Sequence, residues 1–213
     1  MKKIDKHIGL YFIIDGNFTR DFVGMTKLAI DLGVKIIQYR DKNVGLSEML
    51  KNAIKIRELT KKSETIFIVN DNVDVALKSD ADGIHIGKED AKYEYARKLL
   101  PNKIIGISAD NLEESLFAEK NGADYIGLGP IFPTSTKPDA GQIIGIKKLS
   151  EIVKLIQIPV IAIGGINLKK LESVLATKVS GVAIISAILG KPNPENEMKN
   201  IINKIKKQNQ MRG

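Results

Sequence analysis

Residues 122–128 read GADYIGL, in which a glycine and an acidic residue stand next to an apolar run of the length of one buried strand. A weaker form of this arrangement, with a small or acidic turn before the apolar run, recurs at 32–38 (LGVKIIQ), 81–87 (ADGIHIG) and 179–185 (VSGVAII). Each copy has the pattern of a helix end, a short turn and a buried strand. Gly33 and Gly122 stand where the end of a helix favours a left-handed residue. The recurring stretch therefore predicts strands that each follow a helix.

Outward from this repeat, eight apolar, β-branched runs are spread along the chain. They lie at 9–14, 34–39, 65–69, 83–86, 103–107, 124–128, 158–163 and 181–185. Segments with helical spacing separate them, such as 46–62 and 111–122. Strands that alternate with helices indicate a parallel α/β fold, and the number eight favours a closed (β/α)8 TIM barrel. An open dinucleotide-binding sheet would carry GxGxxG after its first strand, where this chain reads DGNFTR.

Length and composition narrow the class of protein. The 213 residues are 43% hydrophobic, so we expect a single domain over 1–213, with a barrel core over about 9–190 and a C-terminal helix and polar tail over 195–213. The absence of cysteine excludes disulfides and a thiol nucleophile, and together with the lack of a signal peptide it favours a cytoplasmic protein. No apolar run has the length needed to span a membrane. The net charge of +8 is spread along the chain, and aromatic residues make up only 5% of it. This composition disfavours nucleic acid as a partner and favours small anionic substrates. The sequence does not decide whether the protein forms a homo-oligomer.

A TIM barrel carries its active site at the C-terminal ends of its strands, so the residues that close the strands are the candidates. Gln38, Arg40 and Lys42 close the second strand at alternate positions, so we expect all three to point toward the barrel mouth. A guanidinium beside an ammonium suits a phosphate or diphosphate. The alternative is a solvated loop with an ion pair to Asp41.

Acidic residues close the next two strands. Asn70 and Asp71 end the third strand, and Asp90 lies just beyond the fourth. Because neighbouring strands are close together, the two carboxylates could share a hard cation such as Mg²⁺. The alternative is that Asp71 or Asn72 caps the helix that follows.

The loop after the sixth strand is richer in functional groups than a turn requires. Residues 129–141 read GPIFPTSTKPDAG. Thr134, Ser135 and Thr136 offer hydroxyls and Lys137 offers a positive charge, while three prolines restrict the backbone and lower the entropy lost when a ligand orders it. We therefore expect this loop to bind an anionic ligand.

The remaining strand ends carry weaker signals. Ser108 closes the fifth strand, where it suits a phosphate oxygen or, on its own, more readily a helix cap. Gly164 and Gly165 close the seventh strand and Ile185 and Ser186 the eighth, where many barrels bind phosphate through backbone N–H groups. His85 lies mid-strand, with Ile84 and Ile86 on the opposite face. We expect it inside the barrel, as a hydrogen-bonded core residue in preference to a catalytic one.

Taken together, these strand ends resemble the thiamine-phosphate synthase family. The matching stretches are QYRDK (38–42), VNDNVDVAL (69–77), ADGIHIGKED (81–90), GADYIGLGPIFPTSTKPDAG (122–141), IPVIAIGGI (158–166) and GVAIISAI (181–188). They occur in the family's order and span about 9–190. The resemblance implies a (β/α)8 barrel and a transferase that joins a hydroxymethylpyrimidine diphosphate to a thiazole phosphate with Mg²⁺, giving thiamine phosphate and diphosphate.

The resemblance also implies residue roles. The pyrimidine diphosphate site would comprise Gln38, Arg40, Lys42, Asn70, Ser108 and Lys137. The thiazole phosphate site would comprise Thr134, Thr136, Gly165, Ile185 and Ser186, and the Mg²⁺ ligands would be Asp71 and Asp90. Arg40 and Lys137 are the expected catalytic residues, because they would neutralise the diphosphate as it leaves. No protein nucleophile is required.

One position departs from the family pattern. After Ser108 the family commonly has Ala-His-Thr, whereas this chain has Ala109, Asp110 and Asn111. A sister family, the thiazole tautomerases, uses a histidine in this region, so its absence favours the synthase over that alternative. We expect Asp110 to cap the next helix and to transfer no proton. A catalytically silent barrel that binds thiamine precursors as a regulator is a further alternative, against which the intact Lys137 and aspartates argue.

Overall fold

The structure is a computed structural model that describes residue 4 and residues 8–87, 93–136 and 141–210. Its eight strands are all parallel, each pairs with the next along the chain, and the last returns to the first to close a barrel. The strands are β1 (Gly9–Asp15), β2 (Ile36–Arg40), β3 (Ile66–Asn70), β4 (Gly83–Ile86), β5 (Ile104–Ala109), β6 (Tyr125–Leu128), β7 (Val160–Ile163) and β8 (Gly181–Ile184). The predicted (β/α)8 barrel is confirmed, with strand ends shifted by a residue or two.

Helices follow the strands and surround the barrel. They are α1 (Phe22–Asp31), α2 (Leu46–Thr60), α3 (Val73–Lys78), α4 (Tyr93–Leu99), α5 (Leu112–Lys120), α6 (Gly145–Leu155), α7 (Leu171–Ala176), α8 (Ser186–Leu189) and α9 (Pro194–Gln210). In α9, Met198, Ile201 and Ile205 are buried at helical spacing, so one face of this polar helix packs on the protein. Among the described helices none is long and apolar enough to cross a membrane.

The core has two layers because side chains alternate along each strand. Outward-facing residues such as Phe12, Ile37 and Val69 pack beneath the helices in one large cluster. Inward-facing residues, among them Ile36 and Ile68, fill the barrel in a second cluster. This inner cluster also contains two tyrosines that bear on the site described below.

The helix ends confirm part of the sequence reading and correct another part. Gly33 and Gly122 are left-handed as predicted, with φ of +74° and +86°. The cap of α3 is one of the two residues that the sequence offered. Asn72, not Asp71, caps α3 by accepting a hydrogen bond from the Val75 N–H at 2.8 Å.

The cap of α5 differs from the expected one. Asn111 accepts a hydrogen bond from the Glu114 N–H at 2.9 Å, so the prediction that Asp110 caps this helix is wrong, and Ser108 does not cap it either. The physical reason is position, since Asn111 directly precedes the first residue of the helix. The Asp110 N–H instead donates to the Glu114 carboxylate at 2.8 Å. Asp110 is thereby held on the loop, where its side chain lines the barrel mouth.

Candidate active site at the barrel mouth

The C-terminal ends of the strands surround a cavity of about 450 Å³. The predicted site residues that line it are Gln38, Arg40, Lys42, Asn70, Asp71, Ser108, Thr134, Thr136, Gly165, Ile185 and Ser186. Residues that are far apart in the sequence are therefore brought to one place. The two other predicted residues, Asp90 and Lys137, lie outside the described residues.

One side of the cavity carries two cations that are held by carboxylates. The Arg40 guanidinium is only 14% exposed and forms an ion pair with Asp15, which is fully buried at the end of β1. The same Asp15 carboxylate accepts a hydrogen bond from the Asn17 N–H at 2.8 Å. Asp41 pairs with Arg20 at 2.5 Å. The alternative, an ion pair of Asp41 with Arg40 or Lys42, is therefore replaced by the pairs of these two cations with Asp15 and Asp71. Sequence reasoning missed Asp15, although its place at a strand end was a usable signal.

Lys42 and Asp71 form the second pair, with Nζ and Oδ2 3.0 Å apart. Asp71 has a φ of +62°, an uncommon backbone conformation for a residue other than glycine. Its carboxylate lines the cavity beside the Asn70 side chain. Oxygen donors of these types suit Mg²⁺. Within residues 8–87, 93–136 and 141–210, no cluster of three or more His, Asp or Glu side chains could hold a metal ion by itself.

The opposite side of the cavity is formed by the loop after β6 packed on the end of β7. The Ile131 N–H donates to the Ile163 carbonyl at 2.9 Å and the Phe132 N–H to the Gly164 carbonyl at 3.1 Å. A Cβ on Gly165 would lie 2.4 Å from the Pro133 carbonyl oxygen, and the residue has a φ of +62°. Close packing and backbone conformation therefore both require glycine here.

Hydroxyl groups from this loop meet the end of β8. The Thr136 Oγ1 hydroxyl donates to Ser186 Oγ at 3.3 Å, and the Thr136 N–H donates to Thr134 Oγ1 at 3.3 Å. Ser186 is the first residue of α8. The three hydroxyls, linked by these hydrogen bonds, line the cavity together with Gly165.

A chain of buried polar side chains forms the floor. Gln38 Nε2 donates to Tyr11 Oη at 2.9 Å, and Tyr11 Oη lies 2.8 Å from Tyr125 Oη. His85 lies 3.0 Å from Tyr125 Oη through Nδ1 and 3.0 Å from Ser108 Oγ through Nε2. The prediction of a hydrogen-bonded histidine inside the barrel is confirmed, and His85 lines the cavity together with its two partners.

Both tyrosines of the floor are neutral. Burial raises the pKa of Tyr11 well above its ordinary value, and burial likewise raises the pKa of Tyr125, which the neighbouring Tyr11 raises further. Sequence reasoning missed both residues. The signal available was the alternation along β1 and β6, which turns each of them toward the barrel axis.

Comparisons with known proteins agree on one family. The family described as thiamine monophosphate synthase matches residues 10–188. A thiamine-phosphate synthase from Archaeoglobus fulgidus is 41% identical over 207 residues, 97% of this chain and 98% of the relative. One from Pyrococcus horikoshii is 46% identical over 181 residues, 85% and 86% of the two chains. The structure also matches a thiamine phosphate pyrophosphorylase from Pyrococcus furiosus, with a TM-score of 0.88, 41% identity and coverage of 94% and 96%.

Proposed function

From the fact that the chain belongs to the thiamine monophosphate synthase family, we propose how its barrel mouth makes thiamine phosphate. Its activity is that of a thiamine-phosphate synthase, a transferase of thiamine biosynthesis that acts on small phosphorylated substrates. The substrates we propose are 4-amino-2-methyl-5-(diphosphooxymethyl)pyrimidine and 4-methyl-5-(2-phosphooxyethyl)thiazole. The products are thiamine phosphate and diphosphate. One observation carries this assignment: a single cavity has cations on one wall and hydroxyls with a glycine turn on the other.

We assign the pyrimidine diphosphate to the wall that carries Arg40 and Lys42. Each cation already has one carboxylate partner, Asp15 or Asp71, which leaves its remaining N–H donors for an anion. Asn70, the last residue of β3, lines the same cavity. Gln38 and Ser108 rise from the floor itself, so the pyrimidine ring lies deeper than the diphosphate.

We assign the thiazole phosphate to Thr134, Thr136, Gly165, Ile185 and Ser186. Hydroxyl donors and backbone N–H groups at the ends of the last two strands are a common phosphate site in barrels of this kind. Lys137 directly follows Thr136 in the sequence, so we propose that it acts between the two anionic groups.

The proposed reaction is a substitution at the pyrimidine methylene carbon. The C–O bond to diphosphate breaks, the bonding electrons leave with the diphosphate, and the electron-rich pyrimidine stabilises the methylene cation. The thiazole nitrogen then donates its lone pair to that carbon and becomes the positively charged thiazolium nitrogen. No proton is transferred, so a protein base is not required. Arg40 and Lys137 oppose the charge that develops on the leaving group, and the cavity aligns the two rings and excludes water.

We propose that Asp71 and Asp90 hold Mg²⁺. Asp71 fits this role in its donor type and in its position on the cavity wall, next to the cations that would bind diphosphate. When bound, Mg²⁺ supplies positive charge that neutralises the diphosphate. We further propose a cytoplasmic location, because both substrates carry phosphate charges that hinder unaided passage through a membrane.

The test is incubation of the full chain with both phosphorylated precursors and Mg²⁺, followed by measurement of diphosphate and thiamine phosphate. We expect the two products in equal amounts, and diphosphate release that depends on the thiazole phosphate. Isomerisation of the thiazole without any pyrimidine would indicate the tautomerase alternative. Binding of both precursors without turnover would indicate the regulatory one.

A further inference from the structure

We propose that Tyr11, Tyr125 and His85 form a positioning relay that fixes the hydrogen-bonding direction of Gln38 and Ser108, and so selects the ring of the pyrimidine substrate. The relay is defined as these three side chains on the floor of the cavity. The inference rests on the proposed function, since it specifies how the same site distinguishes one heteroaromatic ring from another.

The contacts form one continuous path across the barrel floor. It runs from Gln38 to Tyr11 (2.9 Å), Tyr125 (2.8 Å), His85 (3.0 Å) and Ser108 (3.0 Å). The relative exposure of Tyr11 is 2% and that of Tyr125 is 0%, so bulk water does not compete for their hydroxyls. All five residues of the path line the cavity, and Gln38 and Ser108 are its two ends.

Donor and acceptor rules give this path one direction. The Gln38 amide nitrogen only donates, so Tyr11 accepts there and has its own hydrogen left for Tyr125. Tyr125 then donates to His85 Nδ1, which makes His85 Nε2 the protonated nitrogen that donates to Ser108 Oγ. In the opposite direction, Tyr11 would accept from both neighbours, and its hydrogen would have no acceptor among the contacts of the described residues.

This direction sets the polarity at both ends of the cavity floor. With its nitrogen turned to Tyr11, Gln38 has its amide oxygen left as an acceptor for a ligand. Ser108 accepts from His85, so its own hydroxyl hydrogen is left as a donor. A ring with an amino group and a ring nitrogen, such as an aminopyrimidine, supplies the complementary donor and acceptor. Both phenols are neutral because burial raises the pKa of each, which keeps the hydrogens that the path needs.

Two glycines on neighbouring strands leave space inside the barrel for the rings of the relay. A Cβ on Gly106 would lie 2.0 Å from Tyr125 Cζ, and a Cβ on Gly127 would lie 2.9 Å from His85 Cε1. Any larger residue at these two strand positions would displace the rings. The space that side chains at positions 106 and 127 would fill is occupied by Tyr125 and His85, which supports a defined position for both rings.

Binding measurements on Tyr→Phe variants test the relay. Tyr125→Phe keeps the ring and removes the hydroxyl that joins Tyr11 to His85. We expect its Kd for the pyrimidine diphosphate to rise about tenfold, while its Kd for the thiazole phosphate stays unchanged. Tyr11→Phe removes the neighbouring hydroxyl and should act the same way, so it decides the question if Tyr125→Phe does not fold. The matched control is Tyr39→Phe, because Tyr39 is equally buried but packs on Phe22 and accepts a hydrogen bond from Asn52 outside the cavity.

A substrate analogue gives a second readout that a general loss of packing would not change. The wild type should bind the pyrimidine diphosphate much more tightly than its 4-deamino analogue, and Tyr125→Phe should lose most of that preference. Equal weakening toward both substrates, or a preference that persists in both Tyr→Phe variants, would overturn the relay. If the wild type forms no thiamine phosphate from the two precursors, the proposed function fails first, and that result is separate from the comparison of variants.

Discussion

Asp15 is the residue that orients the Arg40 guanidinium toward the cavity. Its carboxylate is fully buried, and it accepts from the Asn17 N–H and from Arg40. A buried, hydrogen-bonded ion pair fixes the plane of a guanidinium more strictly than an exposed pair does. If Arg40 binds the diphosphate as proposed, Asp15 presents its remaining N–H groups to that anion and acts as a positioning residue.

We predict that Asp15→Asn raises the KM for the pyrimidine diphosphate about tenfold and leaves the KM for the thiazole phosphate unchanged, because the charge that orients Arg40 is lost. Steady-state kinetics with each substrate varied in turn measures both values. The control is Asp41→Asn, in which an equally buried carboxylate loses its pair with Arg20, a residue that does not line the cavity. Asp41→Asn should reduce stability but leave both KM values as they are. The same kinetic change in both variants would contradict the role of Asp15.

Single residues also show where sequence reasoning stops. Polar residues at strand ends, such as Gln38 and Ser108, were predictable because only the mouth of a barrel accepts them there. Tyr11 and Tyr125 were not, because each lies inside an apolar run where a tyrosine reads as a core residue. The error over Asp110 has a similar cause, since two adjacent residues with short polar side chains can each cap a helix and only the position of the first turn decides between them.

At the scale of elements, the loop after β6 is fastened to the strands beside it. The described part of it, 129–136, bonds to the end of β7 through Ile131 and Phe132 and to α8 through Thr136. Its three hydroxyl residues and the lysine that follows were the strongest functional signal in the sequence. A loop held in this way presents its ligand groups with little loss of entropy.

We predict that Lys137→Ala folds normally and lowers kcat about a hundredfold, because the leaving diphosphate loses a positive charge. Turnover measured at saturating concentrations of both substrates gives the value. Lys147→Ala removes an exposed lysine from α6 in the same stretch of chain and should leave kcat unchanged. Turnover equal to that of the wild type in a folded Lys137→Ala protein would exclude this lysine from the mechanism.

The neighbouring ends of β3 and β4 carry the two aspartates that we propose as Mg²⁺ ligands. In the structure Lys42 lies 3.0 Å from Asp71 and neutralises it, so a cation competes with an existing partner there. A diphosphate would draw Lys42 toward itself and would add oxygen ligands of its own. Mg²⁺ affinity should therefore be weak in the free protein and stronger once the diphosphate is bound.

We predict that Mg²⁺ tightens binding of the pyrimidine diphosphate by the same factor by which the diphosphate tightens binding of Mg²⁺, as linkage requires. Calorimetry of each ligand in the presence and absence of the other measures both factors. The coupling should vanish in the double variant Asp71→Asn/Asp90→Asn and persist in Asp74→Asn, which changes an exposed aspartate on α3. Undiminished coupling in the double variant would show that these two aspartates are not the Mg²⁺ ligands.

At the scale of the whole molecule, the barrel could be predicted because its signals recur. Apolar, β-branched runs marked all eight strands, and the pattern of helix end, turn and strand recurred at four of them. The closure of the barrel could not be predicted from any local pattern, because β8 and β1 pair although they lie at opposite ends of the chain. Only the number of strands and the missing dinucleotide-binding turn favoured a barrel over an open sheet.

The closed barrel separates its two ends by role. The cavity occupies the C-terminal end of the strands, whereas an ion-pair network joins the last turn of α2 to the loops that precede β4 and β5. There Arg57 pairs with Asp80 at 3.3 Å and Asp82 at 3.1 Å, and Lys103 pairs with Asp80 at 2.6 Å. None of these residues lines the cavity. We therefore expect changes in this network to affect stability and not catalysis.

The prediction at this scale concerns Asp80, whose hydrogen bond from Lys103 holds the pKa of its carboxyl below the ordinary 3.8, with Arg57 adding to the effect. Because the folded-state pKa is the lower one, this stabilisation is present above the unfolded-state pKa and is lost as the pH falls through the folded-state pKa. Asp80→Asn should lower the free energy of unfolding by about 0.5 kcal/mol at neutral pH, a small value because Asp80 is largely exposed. Asn tolerates the left-handed backbone at this position, where φ is +53°, so no strain is added. In urea denaturation, the difference in unfolding free energy between Asp80→Asn and the wild type should disappear below the carboxyl pKa. A double-mutant cycle with Lys103→Met should show coupling between the two positions. The kcat and both KM values should stay unchanged. A loss of stability that persists at acid pH would assign the effect to the backbone and not to the charge.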